Sequence, residues 1–230
     1  MTINVDRPCG TFDRNYYQAM EIFRTPLRKF LMIAFIVVMY ILGFTTDDYI
    51  ISILIVFCAF SVGMTGLQII TGYAGQISLG HAAFMGVGMY TVAIFQAHLG
   101  FNFWMALPLA GLFPMIIGMV IGIPALRIKG LYLAFASLAA HFVIVYGISN
   151  WRSVTHGTDG MYLHRPETLL GIDFMIDKYY YILVLTITII MIYFAKNLTR
   201  TKLGRAFVAE GEVKRLVLVV GINIAGTKIL

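Results

Sequence analysis

Residues with chemical capability occupy three short stretches of this chain. The first, GYAGQISLGHAAFMGVGMY at residues 72–90, sets Gln76, Ser78 and His81 among glycines and lies between two strongly apolar runs. The second, HGTDGM at 156–161, offers His156, Thr158 and Asp159, and the third is a basic stretch from residue 196 onward. A membrane-embedded enzyme should show paired carboxylates, a His/Asp cluster or a serine with a base at one depth, and the apolar runs show none. His81, His141 and His156 fall at different predicted depths, which speaks against a shared metal site. An amide, a hydroxyl and an imidazole at 76, 78 and 81 offer something else, namely hydrogen bonds to a polar solute or to backbone that has left its helix.

The elements that position these groups follow from composition. The chain has 230 residues, is 60% hydrophobic and only 12% charged, and has a mean hydropathy of +0.84. A soluble domain is nearer a quarter charged, so the expected fold class is all-α, a polytopic membrane helix bundle. Six candidate spans read as 27–44, 49–70, 80–98, 103–123, 131–148 and 179–195. Apart from Arg28 and Lys29 at the lip of the first, they contain no Asp, Glu, Lys or Arg, as the cost of a mid-membrane charge requires. The organisation expected is an N-terminal arm at 1–26, a transmembrane domain at 27–195 with an outer loop at 149–178, and a cytoplasmic segment at 196–230. The basic N-terminus is read as leading into a retained first span, because no small-x-small cleavage site follows Gly43.

Charge sets the orientation. With the N-terminus in the cytoplasm, all of the 17 basic residues except Arg152, Arg165 and Lys178 fall on the inner side. Tyr49, Trp104, Trp151 and Tyr179–Tyr181 then fall at outer ends, where amphipathic rings favour the headgroup layer. The net charge of +6 does not indicate nucleic acid, because the basic residues cap apolar runs and form no basic face. Cys9 lies in the polar arm and Cys58 inside an apolar run, which makes a disulfide between them improbable.

In this topology residues 72–81 join spans two and three on the inner side. Backbone at membrane depth must be helical unless it is buried in protein or lines a wet cavity. Glycines at 72, 75, 80, 86 and 88 permit unusual φ and close helix approach, and Ser78 is placed to cap a helix starting near Leu79. One reading is a broken helix bordering a translocation pathway, with Gln76, Ser78 and His81 facing an interhelical cavity. The other is an ordinary tight loop followed by a close-packed helix. His141, mid-span in SLAAHFVIVYG, likewise reads either as functional or as a neutral imidazole bonded to a neighbouring helix. His156 and Asp159 read either as contacts to substrate or partner, or as a turn built on Asp and Gly. Pro108, Pro114 and Pro124 are candidate kinks in span four.

GYAGQISLGHAAFMGVGMYT resembles the signature segment of permease subunits of branched-chain amino acid ABC importers. The resemblance continues through FWMALPLAG, GIPALRIKGLYLAFASLA, NW-x4-HGTDGM at 150–161, LGRAF at 203–207 and GINIAGTK at 221–228. It covers roughly residues 60–230 and is nearest to the M-type partner of the paired permeases, a group that includes urea and other amide importers. The resemblance implies a transport subunit of the bacterial inner membrane, without enzymatic activity or cofactor. It further implies a sister permease, two cytoplasmic ATP-binding subunits and a periplasmic substrate-binding protein as partners, with lipid around them. It places Gln76, Ser78, Gly80 and His81 on the translocation pathway. It makes His156, Thr158 and Asp159 outer contacts for substrate or binding protein. Gly204, Arg205, Glu212, Gly221 and Asn223 would belong to the segment that docks the ATPase.

GINIAGTK is no phosphate loop, since Thr227 precedes Lys228 where Gly-Lys-Ser/Thr is needed. Two departures qualify the resemblance. Where the family shows a pattern like I-A-A-E-x-x-G-I-N, residues 215–223 read R-L-V-L-V-V-G-I-N, so altered docking is expected. Family permeases also run on into further spans, whereas no apolar run of spanning length follows residue 195 here; a permease shortened at its C-terminus is the expectation. A non-transporting membrane scaffold is the alternative function.

Overall fold

The computed structural model describes residues 26–125, 130–163, 165–166, 173–201, 204 and 207. No strand occurs among them. Helix α1 spans Pro26–Thr45, α2 Asp48–Gln68, α3 His81–Leu99, α4 Phe103–Ala125, α5 Leu131–Asn150, α6 Arg152–Thr155 and α7 Asp177–Leu198. A π-helical turn at Ile69–Tyr73 prolongs α2, and a 3-10 turn at Gly157–Asp159 follows α6. Among the described residues six helices are long and apolar enough to cross a membrane, and they match the six runs expected from sequence to within a few residues at most ends. The sixth extends to Leu198, past the expected end at 195. Residues Met1–Thr45 and Thr46–Leu230 form two compact units.

In the first unit, α1 carries no charge beyond Arg28 and Lys29 near its start, and the Thr45 hydroxyl closes its last turn by donating to the Ile41 carbonyl at 3.1 Å. Phe30, Phe35 and Ile41 on this helix are more than half exposed. In water that would be an aggregation hazard, whereas in a bilayer lipid solvates the same surface.

In the second unit, α2 lies along α7 and α3 is flanked by α4 and α5. The Cys58 thiol lies within hydrogen-bonding reach of Thr188, and further along both helices Thr65 and Gln68 of α2 share a cleft with Ile192 and Lys196 of α7. The two helices therefore run in the same direction, as spans two and six must in an alternating topology. Small residues draw α3 and α4 together. A Cβ built on Gly88 would stand 3.2 Å from the Ala110 carbonyl oxygen. Pro114 has no N–H to give that carbonyl, four residues earlier in α4, so a Gly88 hydrogen points at an acceptor the proline released. The prolines at 108 and 114 do not end α4, which runs unbroken as a single helix from Phe103 to Ala125.

Candidate functional site

The chain between α2 and α3 leaves helical geometry only after an extra-wide turn. Within the π turn the Ala74 N–H donates to Ile69 at 3.1 Å, and the Gln76 N–H reaches back to the Ile70 carbonyl at 3.1 Å. Gly75 sits between them at φ +62°, the left-handed conformation that closes a helix C-terminus. The closure is one residue wider than the usual Schellman arrangement, as the π turn requires. Gly75 is thus the glycine whose backbone freedom this turn needs. From Ala74 to Gly80 the backbone is non-helical.

This segment folds back into the bundle. The His81 ring lies beside α2, its Nε2 2.8 Å from the Gly63 carbonyl oxygen. A carbonyl only accepts, so Nε2 carries the proton and His81 is the donor. Gly63 stands ten residues before Tyr73, where the π turn ends, which at 1.5 Å per residue is about 15 Å along the axis. The first residue of α3 therefore lies alongside the middle of the second span, well back from its end. Two glycines of α2 make room for it. A Cβ on Gly66 would stand 3.2 Å from the His81 ring, and one on Gly63 would stand 2.7 Å from the Met85 sulfur.

Contact with α5 is equally close. The Leu79 N–H donates to the Ser137 hydroxyl at 2.9 Å, and that hydroxyl donates in turn to the Ala134 carbonyl at 2.8 Å. Gly80 is buried, and a Cβ on it would come within 2.6 Å of the Ser137 carbonyl oxygen. The Leu79 N–H is thus spent on α5 one and a half turns into that helix, with the Gly80 backbone packed directly against it.

Several expectations are corrected here. Helix α3 starts at His81, with Gly80 at its N-cap and no side-chain cap bond, so Ser78 does not cap it. Gly86 makes no close approach, since a Cβ there would meet nothing within 4 Å. Gly72 faces only the flexible amide of Gln68. Gln76 and Ser78 are half-buried, beside the exposed side chains of Ile77 and Leu79. Gly63, Gly66 and Ser137 were not singled out from sequence. Their signal is small residues at helical spacing, SVGMTG in α2 and AFAS in α5, which also occur in helices that touch nothing.

At the other end of α5, Thr155 organises the 150–161 motif. It is buried; its hydroxyl lies 2.6 Å from the Ile148 carbonyl and 2.9 Å from that of Trp151, and it accepts from the Gly157 N–H at 3.2 Å. His156 takes φ +59°, and its ring stacks on that of His98 with centroids 6.3 Å apart. The His98 Nε2 is 3.2 Å from the Val154 carbonyl. His156, Thr158 and Asp159 are exposed. His141 joins none of these groups; its ring meets that of Phe142 edge-on, and its Nδ1 is buried without a hydrogen bond. No group of three or more His, Cys, Asp or Glu that could hold a metal occurs among the described residues.

Of the expected ATPase-docking residues, Gly204 is buried, and a side chain on it would run into the backbone of Thr199. Arg205, Glu212, Gly221 and Asn223 lie outside the described residues.

Residues 49–230 match the family of the permease component of the branched-chain amino acid transport system. The chain belongs to this family. It is similar to the high-affinity branched-chain amino acid transport system permease protein LivM of Salmonella typhimurium and to that of Escherichia coli, 28% identical to each over 170 residues. That stretch is 64% of this chain and 40% of each relative, so the chain spans less than half the length of the curated relatives it matches. No solved structure matches. The family match takes in both the folded-back 72–81 segment and the 150–161 motif.

Proposed function

We propose that the chain is a transmembrane permease subunit of an ATP-driven importer for branched-chain or related amino acids, forming the translocation pathway with a sister permease. ATP is hydrolysed on cytoplasmic partner subunits, and a periplasmic binding protein delivers the solute to the outer face around His156, Thr158 and Asp159. The protein sits in the bacterial inner membrane with its N-terminus in the cytoplasm, the orientation that the distribution of Lys and Arg favours.

The observation that carries this reading is the non-helical 74–80 backbone drawn back along α2. Non-helical backbone at membrane depth is tolerated only inside protein or beside water, and transporters use such interruptions to build solute paths. Gly80 and His81 are consumed in holding the segment against α5 and α2, which makes them positioning residues for the path. Gln76 and Ser78, whose half-buried side chains make no hydrogen bond among the described residues, are the groups left to border it.

The test is cysteine accessibility in a chain whose Cys9 and Cys58 are replaced by serine. Cysteines placed singly at 76 and 78 in the assembled transporter should react with a membrane-impermeant thiol reagent, and solute should slow that reaction. Unreactive thiols at both positions, with a surface control labelled, overturn the pathway assignment. Co-purification supplies a separate check: a transport subunit retains an ATP-binding chain and a second permease, whereas a scaffold does not retain the ATPase.

A further inference from the structure

Two exposed histidines meet where α3 ends: His98, in its last turn, and His156, which heads the 3-10 turn. Their rings stack with centroids 6.3 Å apart and planes 24° apart. The His98 Nε2 lies 3.2 Å from the Val154 carbonyl, and because a carbonyl only accepts, that nitrogen carries a proton and donates it. Both contacts tie the end of α3 to the 150–161 motif. His156 makes its contact from an unfavourable backbone, since it is the only non-glycine residue at positive φ among the described residues. The Thr155 hydroxyl holds this turn from one side, and the ring contact holds it from the other.

Few charges surround the pair. Besides His98, α3 brings only His81 and Tyr90, and α4, which packs along it, has no ionisable side chain. Helix α5 brings Tyr132, His141 and Tyr146, while α2, which meets α3 around Gly63 and Gly66, brings Asp48, Tyr49 and Cys58. Arg152 comes from α6 and Asp159 from the 3-10 turn. The Arg152 side chain lies along Gly157, next to His156, where its Cγ would stand 3.0 Å from an added Cβ. Neither histidine forms an ion pair with an acid among the described residues.

Histidine is the side chain type that gains and loses charge between about pH 5 and pH 8. A single protonated ring adds no repulsion within the pair. Two protonated rings put like charges 6.3 Å apart, beside Arg152 and with Asp159 as the one acid in the motif. A shared metal ion is the competing use of two histidines. Stacked rings turn faces rather than nitrogen lone pairs toward each other, however, and no third ligand completes a set among the described residues. We propose that His98 and His156 form a pH-sensitive latch, closed while at most one ring is charged and released when both are, so that acidification frees the 150–161 motif from α3. Release is a property of this contact alone; that it loosens the face receiving solute rests on the transport reading.

Hydrogen exchange read by mass spectrometry tests the latch on the purified full chain, in neutral detergent at low salt, with labelling times scaled for the intrinsic pH dependence of amide exchange. No transport is measured, so failure here leaves the transport reading standing. From about pH 7.5 to about pH 5.5, protection over 150–160 should fall by at least about threefold, the Boltzmann factor for two unit charges 6.3 Å apart in bulk water. High salt should shrink the fall, because both rings are exposed. His156→Asn removes one charge and keeps a residue that accepts the left-handed conformation. His98→Gln removes the other and keeps an N–H for the Val154 carbonyl. Each variant should give a flat pH profile over 150–160. A flat profile in the unsubstituted protein, a fall that persists in both variants, or protection that rises on acidification overturns the latch. So does tightening of 150–160 by added zinc at neutral pH, which would make the pair a metal site.

Discussion

Gly80 and Gly86 belong to the same glycine-rich segment, yet the structure assigns them opposite responses to the same added methyl. Gly80 sits at φ −94° and ψ −2°, which any residue adopts, so Gly80→Ala introduces no backbone strain and only a steric conflict. Its Cβ would lie 2.6 Å from the Ser137 carbonyl oxygen and 3.4 Å from the carbonyl carbon. A rigid helix backbone cannot swing aside as a side chain would, so α3 and α5 must separate or the 79–80 backbone must shift, which also threatens the bond from the Leu79 N–H to Ser137. Overpacking of this kind costs typically about 1–3 kcal/mol. Gly86 lies inside α3 with open space around it, and there alanine gains about 0.5–1 kcal/mol of helix propensity. The two variants should therefore differ by about 1.5–4 kcal/mol, with Gly86→Ala the more stable. Reversible unfolding in mixed micelles titrated with dodecyl sulfate, followed by far-ultraviolet circular dichroism, measures the difference. Ser137→Ala should not rescue Gly80→Ala, because the clash is with the backbone carbonyl and not with the hydroxyl. Equal stabilities for the two alanine variants, or rescue by Ser137→Ala, would refute the folded-back placement of residues 79–81.

Ser137→Ala alone should cost about 0.5–1.5 kcal/mol in the same titration, since it removes the acceptor of the Leu79 N–H at an exposed hydrogen bond. His81→Phe keeps the ring between Gly63 and Gly66 but loses the bond to the Gly63 carbonyl, so a loss of about 0.5–1.5 kcal/mol is expected, with faster amide exchange across 74–80 by mass spectrometry. Trp104→Phe should change stability by less than about 1 kcal/mol: it gives up ring area but removes a buried indole N–H that has no acceptor, and the edge contact to Phe174 survives. Gly157→Ala must hold φ +63° while its Cβ meets the Ser149 carbonyl at 2.9 Å, so a cost of about 1–3 kcal/mol and selective loss of exchange protection over 150–160 are expected.

The membrane-spanning architecture was legible because its cause is local. Each apolar run free of charge is long enough to cross hydrocarbon, and a helix is what satisfies its backbone there, so the positions of α1–α5 and α7 follow from composition read along the chain. The unusual character of 72–81 was legible for the same reason, as polar residues and glycines interrupt that composition. The start of α3 was less so: Ser78 looked like a cap by residue type, but the wide π-type closure at Gly75 carries the chain on to His81 before a helix resumes.

Partners across the bundle had no local cause to read. In a bilayer an apolar side chain is content against lipid or against protein, so hydropathy does not mark which face of a span is buried. Gly63, Gly66 and Ser137 acquire meaning only once α2, α3 and α5 are brought side by side, and Gly86 loses the one its motif suggested. The amino-acid sequence by itself determined how many helices can cross the membrane and where polar backbone interrupts them. Tertiary structure decided that the interruption turns back about 15 Å along the second span and is held there by a serine hydroxyl and an imidazole N–H. The physical reason is that these bonds join residues 18 and 58 positions apart, a separation over which no periodicity in the chain carries information.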